Sequence, residues 1–387
     1  MIGTGMVIPI IPVIFTDPSS HAFLLAGYSK SGQYFIAGLV TALFGLMQFI
    51  AAPLLGELSD VFGRKRLLTV GVGVLAISQV LFGFGIEIAS IGLILLARAV
   101  AGLAAANFSI AQAAIADVTE PKDRAKNFGL IGAAYGIGFI LGPLLGGWIA
   151  GLTGNPAAPF WLAGALGVAN LIFISLFLPE TNKNPRAQSA FTLLKGINNI
   201  RAAIRDVDAR TVYLANFLYI SGFTFMTSFL GVLLVGKFGF DATGVGSYFG
   251  AVGVWVVITQ LFILRIVVKN YSERQILRYS LLFVAASIAT QPFLPNAVWL
   301  YAAMPFMAVP VGLSMANMTA LVSKSVSAEK QGAALGISGS LQALAQGVIP
   351  LVAGVGSGFI GIQIPFLAGG VLAFLGWAML FVFPARK

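Results

Sequence analysis

Gly56-Glu57-Leu58-Ser59-Asp60-Val61-Phe62-Gly63-Arg64-Lys65-Arg66 is the stretch whose reading decides the fold. It crowds five charges into eleven residues between two uncharged runs, 31–56 and 67–86. Each run reaches the ~20 residues that an apolar helix needs to cross a bilayer. The same alternation continues along the chain. Uncharged runs occupy 211–236 and 242–264, and 88–116 is interrupted only by Arg98. The longer runs 127–179, 279–323 and 331–385 each hold two helices, parted by turn signals at Gly151–Pro159, Gln291–Asn296 and Gly356–Pro365. With residues 1–16 as one more, the sequence predicts twelve transmembrane helices and an all-α integral membrane fold.

Composition demands the same class. Of 387 residues, 58% are hydrophobic and 9% charged, against roughly 25% charged in a soluble domain. So few charges cannot cover a water-facing surface, and lipid must do so. The chain has no Cys and one His, His21, which removes disulfides, thiolate sites and imidazole metal clusters. No metal and no cofactor is expected. If the loop holding Arg64 is cytoplasmic, 20 of the 23 basic residues fall on that side, Lys30 and Lys237 on the other, and Arg98 inside a helix. The net charge of +10 is then a positive-inside signature and implies no nucleic-acid partner. It predicts a multi-pass protein of the plasma membrane, the inner membrane in bacteria, with the central loop and C-terminus in the cytoplasm.

Residues 179–210 divide the chain into a six-helix half at 1–178, a cytoplasmic linker at 179–210, and a second half at 211–387. The linker opens on Pro179-Glu180-Thr181-Asn182-Lys183-Asn184-Pro185. Beyond it Leu193, Ile197, Ile200 and Ile204 recur at helical spacing, with Lys195, Arg201 and Arg205 off that stripe. The segment reads equally as a helix on the inner leaflet or as a solvated linker helix. The halves repeat. A shift of 207 superposes Gly129, Gly132, Pro143, Leu144 and Gly147 on Gly336, Gly339, Pro350, Leu351 and Gly354. A shift of 210 superposes Gly102, Leu103 and Asn107 on Gly312, Leu313 and Asn317. Internal repeats with a binding site between them are the build of secondary transporters.

Three segments carry a family resemblance. The stretch from Gly56 to Arg66 is similar to the G-x-L-x-D-x-x-G-R-K/R signature of the major facilitator superfamily. Gly138-Phe-Ile-Leu-Gly142-Pro143-Leu-Leu-Gly146-Gly147 resembles its G-x-x-x-G-P-x-x-G-G antiporter motif. Ile115-Ala116-Asp117-Val118-Thr119, Asp123-Arg124-Ala125, Met47-Gln48-Phe49 and Glu329-Lys330-Gln331-Gly332 resemble the tetracycline-efflux branch. The resemblance implies a cytoplasmic latch that holds the two halves together, built from Gly56, Asp60, Gly63, Arg64 and Lys65 with Asp117 and Arg124, in which Asp60 lies near a second-half helix end and Arg64 near Asp117. It also implies that Gly138, Gly142, Pro143, Gly146 and Gly147 make a contact between the halves that restricts leak. Arg98-Ala99-Val100-Ala101-Gly102 is similar to the helix-4 motif whose arginine is linked to proton coupling.

The residues themselves allow these roles. Asp60 and Arg64 stand four apart and can pair on one helix face. In the second half, Arg265 to Leu277 is a degenerate counterpart with Lys269 near the position of Asp60. Gly138, Gly142 and Gly146 form a small-residue stripe for backbone-to-backbone packing, and Pro143 adds a kink or hinge. Arg98 at mid-bilayer costs ~2.5–3.5 kcal/mol on insertion scales, so it faces a cavity or partner, or snorkels to the outer surface.

None of the 13 acids lies at mid-helix. Tetracycline pumps carry acids in helices 1, 3 and 9 and a histidine in helix 8; the last three positions align with Ser78, Val284 and Val256. Aligning Gly3-Thr4-Gly5 and Pro9…Pro12 places the helix-1 aspartate just before Met1, which predicts that the chain as given begins inside that helix. Gln48, Asn107, Gln260, Asn317 and Gln342 either line a cavity or bond neighbouring helices. Gly231 to Phe238 mimics a nucleotide-binding loop, but Phe238 stands where Ser or Thr is required, so no nucleotide is expected. Nothing indicates an enzyme. The expectation is a monomeric secondary transporter exchanging protons for a small amphipathic organic solute. An uncoupled facilitator or uptake permease, and a non-transporting membrane sensor, are the alternatives.

Overall fold

The computed structural model describes residues 2–105, 107–119, 124–182, 195–206, 209–327 and 331–381. Among them the chain crosses the membrane region twelve times. The first pass is the short pair α1 (Ile2–Gly5) and α2 (Val7–Thr16), joined where the Met6 amide donates to the Ile2 carbonyl. Next come α3 (Lys30–Phe62), α4 (Arg64–Glu87), a pass broken into α5 (Ile91–Ala104) and α6 (Asn107–Val118), α7 (Arg124–Thr153) and α8 (Ala158–Phe177). After the short linker helix α9 (Lys195–Arg205) follow α10 (Arg210–Phe238), α11 (Ala242–Ile258) running through a π-turn at Thr259–Ile263 into α12 (Leu264–Asn270), α13 (Glu273–Thr290), α14 (Ala297–Lys324), α15 (Gln331–Phe359) and α16 (Ile364–Phe381). Eleven of these passes are long and apolar enough to span; Ile2–Thr16 is the shorter one.

Local chemistry sets the ends. Ser29, Ser90 and Asp241 accept from the backbone N–H of Gly32, Leu93 and Gly244, capping α3, α5 and α11. Ser272 and Gln275 make a reciprocal capping box on α13. Gly63, with φ +93°, turns the chain sharply between α3 and α4. Outward faces are apolar: Leu166, Val168, Ile172, Phe173, Leu176 and Phe177 of α8 are all exposed, as a lipid contact requires. The most enclosed pass, α10, packs on α16, α15 and α2.

Besides the first pass, which packs on α10 and α11, two long seams join the halves, α3 against α15 and α7 against α11, and glycine makes both. In lipid, helices associate through close packing rather than apolar burial, so small residues lie where backbones meet. A Cβ on Gly38 would stand 2.4 Å from the Pro350 carbonyl oxygen, and one on Gly354 2.6 Å from that of Tyr34. On the second seam a Cβ on Gly246 would stand 2.4 Å from the Pro143 oxygen, and one on Gly147 2.3 Å from that of Ala242. Ser31 donates to the Gly358 carbonyl at 2.7 Å and Trp148 to Ser247 at 2.9 Å. These contacts lie toward the end of the bundle holding Lys30 and Asp241. At the opposite, basic end they cease: a Cβ on Gly56, Gly336 or Gly339 would meet nothing within 4 Å. On the α3–α15 seam the close contacts run from Ser31 and Gly358 to Gly45 and Gln346 and are absent at Gly56, Gly336 and Gly339.

The linker helix is amphipathic in a different register from its leucine and isoleucine stripe. Gly196 and Ala203 are buried, Gly196 against Phe49 of α3, and Asn199 donates to Ser340 of α15 at 2.9 Å. Ile197 and Ile204 remain exposed while Ile200 packs on the core. The helix therefore bridges the basic ends of α3 and α15, one from each half. Leu193 lies outside the described residues.

Candidate functional site

Arg64 opens α4 directly after the Gly63 turn, and so points back along α3. Its guanidinium bonds Asp60 at 2.5 Å, Asp117 of α6 at 3.0 Å and the Ser59 hydroxyl at 2.5 Å. The side chain is only 10% exposed, which suits a planar group that uses several donors at once. The structure thus brings together Asp60, Gly63, Arg64 and Asp117. Lys65 points elsewhere, donating to the Ser175 carbonyl of α8 at 2.9 Å. Gly56 sits in open space, and the side chain of Arg124 lies outside the described residues.

The linker completes this cluster in a way the sequence analysis missed. Glu180 accepts from the backbone N–H of Arg64 at 2.8 Å and of Lys65 at 3.1 Å, capping α4 where Gly63 offers no side chain. Asn182 donates to the Asp60 carbonyl at 2.8 Å and Thr181 to Asp117 at 3.4 Å. Burial pushes the Glu180 carboxyl up, but backbone N–H donors from Asn182, Arg64, Lys65 and Thr181 outweigh it and hold it below the usual carboxylate range. The one available signal was an uncapped helix start, whose partner lies 116 residues away.

Arg98 is 8% exposed on α5. Its Nε donates to the Val40 carbonyl of α3 at 3.1 Å, and the guanidinium carbon lies 4.8 Å from the centre of the Phe44 ring. Among the described residues no carboxylate pairs with it. One turn on, a Cβ on Gly102 would stand 2.4 Å from the Phe44 oxygen, so α5 and α3 touch backbone to backbone. The helix then breaks between Ala104 and Asn107. Asn107 is wedged against Gly71, with both side-chain polar atoms buried and without a hydrogen-bond partner. Gln48 Oε1 is in the same condition.

The second-half candidates differ. Gln260 sits in the π-turn and donates to the Gly312 carbonyl of α14 at 2.9 Å. Asn317 donates to its own helix at Leu313, 2.8 Å away, and Gln342 is exposed. Gln260 follows the interhelical account, Asn317 bonds within one helix, and Gln48 Oε1 and both Asn107 amide atoms make no interhelical hydrogen bond.

The antiporter motif splits between two partners. Gly142 and Gly146 receive the first pass: a Cβ on either would lie 2.7 Å from Gly5 Cα or 2.6 Å from the Met6 oxygen. Gly138 is buried beside Gly5. Pro143, through its carbonyl, and Gly147 face α11 of the other half. The regular stripe therefore packs within the first half, and its neighbours make the contact between halves. No group of three or more His, Asp or Glu side chains suited to a metal ion occurs among the described residues.

Two six-helix halves meeting over glycine seams, with a buried arginine and unpartnered amides between helices, have the build of a membrane transporter. The model of the Major Facilitator Superfamily matches residues 1–350 and 212–387, and the chain belongs to that family. It is 26% identical over 359 residues to the class C tetracycline resistance protein of Escherichia coli, covering 91% of this chain and 85% of that one. The quinolone resistance protein NorA of Staphylococcus aureus is 26% identical over 356 residues, covering 91% and 86%. Among solved structures, the human organic anion transporter MFSD10 superposes with TM-score 0.73 at 24% identity, covering 98% of this chain and 95% of that one. A D-xylose–proton symporter gives 0.74 at 15%, covering 100% and 96%.

Proposed function

We propose that this protein exports small amphipathic organic solutes, drugs among them, in exchange for protons. The supporting observation is the pair of glycine seams closed toward the Lys30 end, with Gly56, Gly336 and Gly339 free of such contacts at the basic end. With the basic end in the cytoplasm, this is the state that takes a solute from inside. The relatives named as tetracycline and quinolone resistance proteins align over 91% of this chain, which favours a drug as the solute and export as the direction. Arg98, the charge buried between α3 and α5, attracts an acidic or zwitterionic group on the solute and is the coupling candidate. Gln48 and Asn107, holding unspent hydrogen-bond capacity, are the solute's polar contacts. The latch at Asp60, Arg64, Asp117 and Glu180 holds the first half rigid as it rocks, and a monomer suffices.

A second reading, an uncoupled facilitator, is favoured by one observation: none of the 13 acids stands at mid-helix. Accumulation of fluorescent drugs and dyes in efflux-deficient cells, with and without a protonophore, separates the two. Export that the protonophore abolishes supports exchange. Flux that it leaves untouched overturns coupling and leaves the facilitator.

A further inference from the structure

The second half carries its own version of the Arg64 latch with every charge reversed. Arg64 is the first residue of α4, and Glu273 is the first residue of α13. Both helices follow a sharp turn, at Gly63 and at Ser272. That register also places Asp60 on Lys269, each four residues before its partner. Asp117 lies one residue from the end of α6, and Lys324 is the last residue of α14. The shift of 207 that superposes the following helix carries Asp117 onto Lys324, and the shift of 210 of the preceding helix carries it onto Ser327; Lys324 is the one of the two that pairs with Glu273. The first-half triad of signs, negative, positive, negative, becomes positive, negative, positive. The neighbouring loop agrees in sequence: Lys122 and Asp123 correspond to Glu329 and Lys330. Lys65 and Arg274, one position further, keep their sign, so the inversion is not a general drift of charge.

The contact survived the inversion. Glu273 and Lys324 form an ion pair between α13 and α14, as Arg64 and Asp117 do between α4 and α6. The surroundings differ. Val268 stands where Ser59 braces Arg64, and Lys324 is 64% exposed against 26% for Asp117. Such an exposed pair adds little to stability, which leaves its position as the reason for it. Its place, between the first residue of one helix and the end of the next, is the place of the Arg64–Asp117 pair.

We propose that Glu273 and Lys324 are positioning residues of the transport cycle. Their pair ties the basic ends of α13 and α14 so that the second half closes as one body against the first. The inference rests on the transporter class and not on any particular solute. Its test uses the natural absence of cysteine. A reporter thiol introduced as Gly339→Cys, where a side chain meets nothing within 4 Å, reacts with an impermeant maleimide only while the basic end stands open.

Glu273→Lys and Lys324→Glu, each creating a like-charge pair, are expected to slow dye export about fivefold at unchanged half-saturating concentration, the scale of a surface pair and its reversal. Reporter labelling from the basic side rises with them. The swap Glu273→Lys with Lys324→Glu restores both readings. So does Lys269→Asp with Glu273→Arg and Lys324→Asp, which writes the first half's signs into the second. If a reversal fails to reach the membrane, Glu273→Gln and Lys324→Gln give the same comparison at smaller amplitude. Single variants that match the parent, or a swap as impaired as the singles, overturn the proposal. Labelling needs no transported solute, so a wrong substrate assignment leaves that readout standing.

Discussion

Replacing Gly147 by alanine is expected to unclamp the end of the transporter that is sealed in this state. The added methyl would lie 2.3 Å from the Ala242 oxygen and 2.9 Å from Gly246 Cα, both backbone atoms that cannot rotate away. Ordinary contact begins near 3.4 Å, so α7 and α11 must separate by about 1.1 Å, the difference between 3.4 and 2.3. Overpacking of this kind costs ~1–3 kcal/mol. The cost falls on the state in which the seam is closed, and the opposite state, with the seam parted, escapes it. The equilibrium therefore moves by roughly five- to 150-fold toward opening at the Lys30 end, at ~1.4 kcal/mol per tenfold. A thiol introduced as Ser31→Cys on the other seam, otherwise bonded to the Gly358 carbonyl, reports that opening through an impermeant maleimide. Gly339→Ala, whose methyl has free space, is the control. Labelling at least fivefold faster in Gly147→Ala is the expected result. Equal labelling in two folded variants would refute the claim that this glycine contact holds the end closed.

Two further outcomes follow from the first half. Arg98→Lys keeps the charge but loses the planar fork that reaches Val40 and lies over Phe44; export should fall about tenfold, one lost charge-assisted contact of ~1.5 kcal/mol, with protein levels unchanged on a blot. Glu180 has its folded pKa depressed, so the cap it provides is fully present above the usual carboxylate range and is lost as pH falls through the folded value. Protection of the Arg64 and Lys65 amides, measured as their exchange relative to the intrinsic rate at each pH, should accordingly be high at neutral pH and fall only under acid, whereas in Glu180→Gln it is low already at neutral pH; equal protection in parental and variant protein would remove the cap from the account.

How much of this was legible beforehand varies with the range of the interaction. The turn Gly56–Arg66, the twelve passes and the Asp60–Arg64 pair are encoded within about ten residues of one another, so spacing revealed them. Glu180 on the amides of Arg64 and Lys65 was not legible, because nothing local to Pro179-Glu180 distinguishes a cap from a solvated acid. The linker helix shows the same limit. Its isoleucines advertised one face, while Gly196, Asn199 and Ala203 chose another, since fit against α3 and α15 outweighs the average polarity of a face.

The antiporter glycines mark the division most clearly. Sequence by itself determined that Gly138, Gly142, Pro143, Gly146 and Gly147 belong to a close-packed helix, because a run of small residues in lipid has no other use. It determined the membrane class through hydropathy and the repeat of the two halves through register. Only the tertiary structure decided that Gly142 and Gly146 receive the first pass while Gly147 meets the opposite half. Successive helix positions differ by about 100° around the axis, so neighbours in a motif face different partners. Which partner occupies each direction depends on how all twelve helices share the space, and no local pattern carries that information.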